Sequence, residues 1–108
     1  MNITRISEFQ AKDGQTQGLR DFLNSIVPTI AALEGCRSCR LLQDQEDERR
    51  FVVIELWESL EAHKASVKEI PPEQLEEIMR LVASPPQGRY FAEEGELGDP
   101  RHRRLYGP

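Results

Sequence analysis

Three side chains that could act on a small molecule lie close together in the stretch FVVIELWESLEAHKAS, residues 51–66. They are Glu55, Trp57 and His63. A neutral imidazole accepts a proton near neutral pH, so His63 is a candidate general base. The indole of Trp57 offers an aromatic wall and an N–H donor, and Glu55 could orient the imidazole or carry a proton. This set suits the removal of a proton from a bound small molecule.

Further candidate contacts to a substrate follow from strand alternation. Successive side chains of a strand point to opposite faces, so Phe51 and Val53 share a face with Glu55 and Trp57. We therefore expect Phe51, Val53 and Trp57 to bind the substrate. Tyr90 and Arg89, both on the last predicted strand, are expected to close the same cavity.

Each of these residues also has a structural interpretation. A histidine on the apolar stripe of a helix is commonly a hydrogen-bonded core residue, and a tryptophan on a half-buried strand is as often core as ligand wall. A glutamate buried between apolar neighbours needs a partner in either case. A salt bridge from Glu55 to an arginine, of this subunit or of the opposite one, is the expected arrangement.

Length and composition limit the class of protein. At 108 residues the chain has room for one domain with one modest core. The net charge of -5 argues against nucleic acid as a partner. No apolar run approaches the roughly 20 residues of a membrane span, and the N-terminal segment does not resemble a secretory signal. We expect a cytoplasmic protein that binds no membrane.

The two cysteines form the motif CRSC, Cys36 to Cys39. Such spacing can serve redox or metal chemistry at a helix N-terminus or in paired knuckles. Here the motif opens a predicted strand, which would turn the two side chains to opposite faces. Neither a second such motif nor a histidine cluster accompanies it, so we predict a structural role, without disulfide or metal.

Periodicity predicts the order of elements. Apolar residues at helical spacing predict a long helix, kinked at Pro28 and capped by Gly35. Ser59 is the predicted cap of a second helix, whose inner stripe would be Leu60, His63, Val67 and Ile70. A further helical piece carries Leu75, Ile78, Met79 and Val82. The predicted strands lie at 2–11, 36–43, 51–57 and 89–94, and the long helix lies at 15–34. Residues 1–94 are predicted to form the domain. Residues 95–108 are predicted to be a C-terminal tail that is flexible or docks on a partner subunit.

The order β-α-β-β-α-β predicts an α+β, ferredoxin-like antiparallel sheet with helices on one face. Along residues 51–57 both sets of alternating side chains are mostly apolar, so both faces of the sheet should be buried. The helices cover one face, and a second copy of the chain is the simplest cover for the other. A homodimer is therefore expected.

Two stretches resemble a known family. IVPTIAALEGC at the end of the long helix, followed by FVVIELWES and EAH, is similar to the antibiotic biosynthesis monooxygenase (ABM) family, whose members are dimeric α+β barrels. The resemblance extends from Asn2 to Phe91. It implies that Trp57 lines a ligand cavity and that His63 lies at or near the position of the family's helical histidine or tyrosine.

The resemblance also implies an activity. Members include cofactor-independent oxygenases of quinols and anthrones, which need no metal and use molecular oxygen as co-substrate. The expected function is a monooxygenase acting on a small electron-rich aromatic compound. The alternative is a non-catalytic dimeric module that binds an aromatic ligand. A haem-degrading role is less favoured, because Ser7 stands where haem-degrading members tend to have asparagine.

Overall fold

The alternating and helical patterns produce four strands and three helices within residues 2–94, the part of the chain that the computed structural model describes. The elements are β1 (Ile3–Gln10), α1 (Thr16–Ala31), β2 (Cys36–Gln43), β3 (Arg50–Trp57), α2 (Leu60–Val67), α3 (Pro72–Leu81) and β4 (Gln87–Ala92). The predictions for the tail at 95–108 fall outside the described residues. No helix in residues 2–94 is long and apolar enough to cross a membrane.

The four strands form one sheet in the order β2-β3-β1-β4, with every neighbouring pair antiparallel. This is the strand order of a ferredoxin-like fold, so the predicted fold class is confirmed. The first strand lies between the third and the fourth. Residues far apart in the sequence therefore meet across β1.

The two faces of the sheet differ in what covers them. On β3 the alternate residues Phe51, Val53, Glu55 and Trp57 are buried, whereas the intervening residues are only partly covered. Phe51 and Val53 belong to a core cluster with Leu19, Leu23 and Leu81 of α1 and α3. We call this side the helix-covered face and the opposite side the open face.

The open face carries an apolar patch. By register, Ile6 of β1 lies beside Ile54 of β3, and Thr4 lies between Leu56 and Phe91. Leu42 and Phe91 are 44% and 46% exposed, respectively. A single chain thus leaves the apolar side chains in the middle of its sheet in contact with water.

Helix α1 is shorter than predicted. It ends at Ala31, within one turn of Pro28, and Ala32 is its C-cap. Gly35 does not cap the helix. It has a φ of +85° in the turn that leads into β2, and a Cβ there would lie 2.7 Å from the Cβ of Ala62. Glycine thus permits both the turn and the close approach of α2.

Helix α2 begins as predicted, but its inner stripe differs. The Ser59 hydroxyl accepts a hydrogen bond from the Ala62 amide at 3.1 Å, which confirms the predicted cap. Its buried residues are His63 and Ser66, whereas Val67 is 48% exposed. The predicted inner position of Val67 is wrong because this eight-residue helix meets the sheet only through a narrow strip.

The further helical piece is α3, which starts at Pro72. Of its predicted apolar residues, Leu75 and Met79 are about half exposed, whereas Ile78 packs against the core and Val82 is buried. Leu81 is buried as well, and Val82 forms a bridge with Ala11. The core therefore holds α3 through Ile78 and through its C-terminal end.

The cysteine motif lies on a strand, but not with the predicted orientation. A register shift between Cys36 and Ser38 brings Cys36 opposite Trp57 and Cys39 opposite Glu55. Both cysteines thus take positions of the helix-covered face, because the extra residue of a bulge interrupts the alternation. Both are free thiols, and burial raises the pKa of Cys39 to about 12.

We expect this environment to suppress thiol reactivity. Only the thiolate is an effective nucleophile, so native Cys39 should react with iodoacetamide at pH 8 at least about tenfold more slowly than free cysteine. Quantitative mass spectrometry of the labelled peptide measures the rate. In denaturant both cysteines should label at the rate of free cysteine. Rapid labelling of Cys39 in the native protein would contradict the prediction.

Candidate active site

The residues with potential chemistry meet on the helix-covered face, near the middle of the sheet. Arg5 of β1 pairs with Glu55 of β3 on one side and with Tyr90 of β4 on the other. The cap at Ser59 starts α2 just after β3 ends. His63, about one turn into that helix, is thereby held over the sheet, where it contacts the rings of Trp57 and Tyr90.

A continuous polar network joins four of these residues. The indole N–H of Trp57 donates to Oε1 of Glu55 at 2.8 Å. Nδ1 of His63 and the hydroxyl of Tyr90 are hydrogen-bonded at 2.6 Å. Nε2 of His63 lies 3.9 Å from the same Oε1 of Glu55, which is an ion-pair distance when the imidazole is protonated. We refer to Trp57, Glu55, His63 and Tyr90 as the polar cluster.

Aromatic packing fixes the imidazole as well. The ring of His63 meets the rings of Trp57 and Tyr90 edge-on, with centroids 5.3 Å and 5.2 Å away and interplanar angles of 75°. Edge-to-face contact is a favourable geometry for aromatic rings. His63 is therefore held by two rings and by a hydrogen bond, which is the preorganisation that a proton-transfer site requires.

The environment favours the neutral forms of His63 and Glu55. Burial lowers the pKa of His63 below its ordinary value of 6.5, and the charge of Arg5 lowers it further. Burial raises the pKa of Glu55, although the hydrogen bond from Trp57 and the charge of Arg5 oppose that rise. His63 is consequently an unprotonated imidazole at neutral pH, which is the form that can accept a proton.

Two tautomers of neutral His63 fit the contacts. When the Tyr90 hydroxyl donates to Nδ1, the proton of the imidazole sits on Nε2 and points towards Glu55. When Nδ1–H donates to Tyr90, the lone pair of Nε2 faces Glu55. Since Tyr90 can donate or accept, a proton delivered to one nitrogen can be balanced by a shift at the other.

Arg5 belongs to the site but was not among the predicted residues. Its guanidinium carbon lies 4.6 Å from the centroid of the Tyr90 ring. Strand alternation, extended from Ile3 through Arg5 and Ser7, is the signal that could have placed it on the covered face. The expected salt bridge between Glu55 and an arginine is not formed within residues 2–94, where Glu55 accepts the hydrogen bond of Trp57 and lies 3.9 Å from Nε2 of His63.

The other predicted contacts lie farther into the core or on the other face. Phe51 and Val53 are each 1% exposed and pack in the hydrophobic cluster with Leu19 and Leu23. Their contact with a substrate stays a prediction. Arg89 pairs with Ile6 and so lies on the open face, away from Tyr90.

Solvent reaches the polar cluster from the side of β4. The side chains of His63 and Glu55 are each 10% exposed, and Trp57 is 1% exposed, whereas Tyr90 is 38% exposed. A cavity of about 330 Å³ lies nearby, between the end of α1 and α2. Its lining includes Ala62 and Ser66 but no member of the polar cluster. A ligand of the cluster would therefore approach over Tyr90.

Comparison with known proteins identifies the family. The sequence profile described as "Antibiotic biosynthesis monooxygenase" matches residues 2–69. No curated protein matches this chain in sequence.

Solved structures share the fold at low sequence identity. Rv0793 from Mycobacterium tuberculosis superposes with a TM-score of 0.79 at 20% identity, over 91% of this chain and 100% of that one. SnoaB from Streptomyces nogalater, a cofactor-independent oxygenase, gives 0.78 at 15% identity, over 91% and 98%. PA3566 from Pseudomonas aeruginosa gives 0.69 at 22%, over 87% and 95%.

The similar solved structures establish the fold of this chain. The profile match adds evidence from the amino-acid sequence. The match begins just before β1 and runs past the end of α2, so that it includes Glu55, Trp57 and His63. It covers more than half of the chain. The chain therefore belongs to the antibiotic biosynthesis monooxygenase family.

Proposed function

We propose that the protein is a cofactor-independent monooxygenase that acts on a quinol, an anthrone or a similar electron-rich aromatic compound. The observation that carries the proposal is the imidazole of His63, held between Tyr90 and Glu55 at the one place where these polar groups meet within residues 2–94. The family supports it, and so does the fold shared with the oxygenase SnoaB.

The proposed reaction needs no electron donor besides the substrate. His63 removes a proton from the phenol, enol or activated CH group, and the resulting anion passes one electron to dioxygen. The two radicals combine into a carbon-bound hydroperoxide. Loss of water then converts a CH₂ group and O₂ into a carbonyl and H₂O. The proton taken by His63 returns to the departing oxygen.

The remaining members of the polar cluster have distinct roles in this scheme. Trp57 forms an aromatic wall, and its hydrogen bond fixes Glu55. Glu55 faces the second nitrogen of His63 and stabilises the imidazolium that forms when the substrate is deprotonated. Tyr90 holds Nδ1 and lies at the solvent side, where the ring of the substrate would stack. Burial of the cluster limits competing reactions with water.

We further propose that the protein acts as a homodimer paired through the open face. The apolar residues there are contributed by all four strands, and Arg50 and Glu8 form an ion pair at 3.4 Å beside them. An apolar centre with a charged rim is the composition of a protein interface. A two-fold axis brings the same patch of each subunit together, so that the apolar residues cover one another.

A second candidate function is a dimeric module that binds an aromatic ligand without transforming it. It is favoured by the hydrogen bonding of the polar cluster: within residues 2–94 no buried side-chain nitrogen or oxygen lacks a partner. A fully bonded cluster can stabilise the fold without chemistry.

Oxygen consumption distinguishes the two functions. The purified protein is mixed with a panel of hydroquinones and anthrones in air-saturated buffer, and oxygen uptake is followed with an electrode. A monooxygenase should give uptake above the spontaneous rate, with one O₂ consumed per carbonyl formed, as measured by mass spectrometry with ¹⁸O₂. Binding of these compounds without uptake would instead support the binding module.

Replacing Trp57 by phenylalanine should mainly weaken substrate binding. The variant keeps an aromatic ring but loses the N–H that donates to Glu55. We expect KM to rise about tenfold, because the smaller ring of phenylalanine gives the substrate less of the aromatic wall to contact, with a smaller change in kcat. Steady-state kinetics on the best substrate of the panel measures both. A large fall in kcat at unchanged KM would assign Trp57 to the chemical step instead.

A further inference from the structure

Arg5 occupies a central position among the polar groups. It lies on the middle of β1, with Glu55 as its neighbour on β3 and Tyr90 as its neighbour on β4. Among the strand residues of 2–94 that the register places on the helix-covered face, Arg5 is the only basic one. Its charge acts on His63 and on Glu55: it adds to the lowering of the pKa of His63 by burial and opposes the rise that burial causes in the pKa of Glu55.

Gly88 makes room for this arginine. A Cβ at Gly88 would lie 2.2 Å from a terminal nitrogen of Arg5, so that any other residue would displace the guanidinium. Gly88 does not have a positive φ, and the backbone does not require glycine there. The side chain of Arg5 thus extends over β4. Its guanidinium group lies next to Gly88 and over the ring of Tyr90.

The hydrogen-bonding capacity of Arg5 remains available. Within residues 2–94 the guanidinium lies over the Tyr90 ring but forms neither an ion pair nor a hydrogen bond. A guanidinium has five N–H donors, so a contact with one ring leaves donors that can bind oxygen. Glu55, although a cross-strand neighbour, is bonded to Trp57 and faces His63.

We propose that Arg5 binds the ionised oxygen of the aromatic substrate, a phenolate or enolate, at the solvent side of the polar cluster. This inference rests on the proposed function, whose first step creates such an anion. The proton goes to His63 and the negative charge stays on the substrate oxygen, where Arg5 holds it with charge-assisted hydrogen bonds. The substrate class is thereby narrowed to aromatics with an ionisable hydroxyl or enol.

The probe for this site is 4-nitrophenol, a phenol that resists oxidation by O₂ and whose ionised form is visible by its absorbance. A cation within about 4–6 Å favours the ionised form, so the apparent pKa of the bound probe should fall by about one unit or more relative to the free probe. Glu55, His63, Tyr90 and Cys39 also face this region, and each can titrate. The titration is therefore repeated in His63→Gln to separate the contribution of the imidazole.

Three variants test the role of Arg5. Arg5→Met removes the charge and should abolish the shift of the bound probe. Gly88→Ala keeps the charge but displaces the guanidinium, and it should reduce the shift without changing the net charge. Arg80→Met is the matched control, since it removes one positive charge from exposed α3, where Arg80 pairs with Glu77, and should leave the shift intact.

The probe titration and the oxygen-uptake assay can fail independently, so they test the role of Arg5 and the proposed function separately. If the parent protein does not bind 4-nitrophenol, or if Arg5→Met retains the shift while folded, the inference about Arg5 is overturned. Oxidation of hydroquinones or anthrones without a shift would leave the proposed function standing and remove Arg5 from it. A shift that depends on Arg5, with no oxidation of any panel compound, would support the anion site and contradict the oxygenase.

Discussion

Replacing His63 by glutamine is expected to lower the rate of substrate oxidation by about 100-fold or more, the usual contribution of positioned acid–base catalysis. Glutamine keeps much of the volume and can hydrogen-bond to Tyr90, but it cannot accept the substrate proton. The folded structure and the oligomeric state should be retained. Initial rates of oxygen uptake, with melting temperature and mass measured in parallel, test this result.

The dependence of the oxidation rate on pH tests independently whether His63 is the base. Only neutral His63 can act as a base, and burial and Arg5 hold its pKa below 6.5. Activity should therefore rise with pH through a value below 6.5 and then become level, whereas His63→Gln should lack that rising limb. The chain contains two histidines, so His102→Gln leaves one imidazole whose titration can be followed by NMR.

Two results would contradict the role of His63. A variant that stays folded and fully active shows that the base lies elsewhere. A variant whose melting temperature falls sharply, while its remaining folded fraction oxidises substrate at the parent rate, identifies His63 as a structural residue. His102→Gln serves as the control for loss of a histidine and should retain the parent's rate.

Replacing Ile54 by aspartate should convert the proposed dimer into folded monomers. Ile54 is at the centre of β3 on the open face, beside Ile6 of β1 and Arg40 of β2. The introduced carboxylate must be taken out of water in the interface, a cost of several kcal/mol that pairing with Arg40 repays only in part, and a two-fold axis introduces it twice. Light scattering should give a mass near 12.4 kDa for the variant and twice that for the parent.

Val53→Asp is the matched comparison, one residue away but on the other face. Val53 is 1% exposed in the core beneath the helices, so the same charge there should unfold the chain rather than separate two chains. Circular dichroism distinguishes the two effects. A monomeric parent at micromolar concentration, or an Ile54→Asp variant that remains dimeric, would refute pairing through the open face.

The strands and the long helix could be predicted because their patterns are local. The predicted bounds of β2 match the observed ones, those of β3 differ by one residue, and sustained helical spacing located α1. The end of α1 and the exposed Val67 were missed because tertiary contacts decide them. The bulge at Cys36 was missed for the same reason, since the register of β2 is set by its partner β3.

The candidate site was predictable only in part. Glu55 and Trp57 are two apart on one strand, so their common face follows from alternation, and the cap at Ser59 directs His63 towards the same sheet. The contacts of Arg5 with its neighbours depend on the order of the strands in the sheet. That order joins the first strand to the last, and no local pattern in the sequence encodes the hydrogen bond between His63 and Tyr90.

The position of Tyr90 on an edge strand ties the site to local opening of the fold. Within residues 2–94, β4 pairs only with β1, and its residues are almost all exposed. Edge elements with few buried contacts exchange their amide hydrogens at a lower free energy than the core does. Detachment of β4 alone would separate Tyr90 from His63 while Leu19, Leu23 and Phe51 stay packed. The time for which Tyr90 and His63 stay hydrogen-bonded is then set by the stability of β4 alone. A change that destabilises β4 would therefore lower the turnover number at temperatures well below the melting temperature of the core.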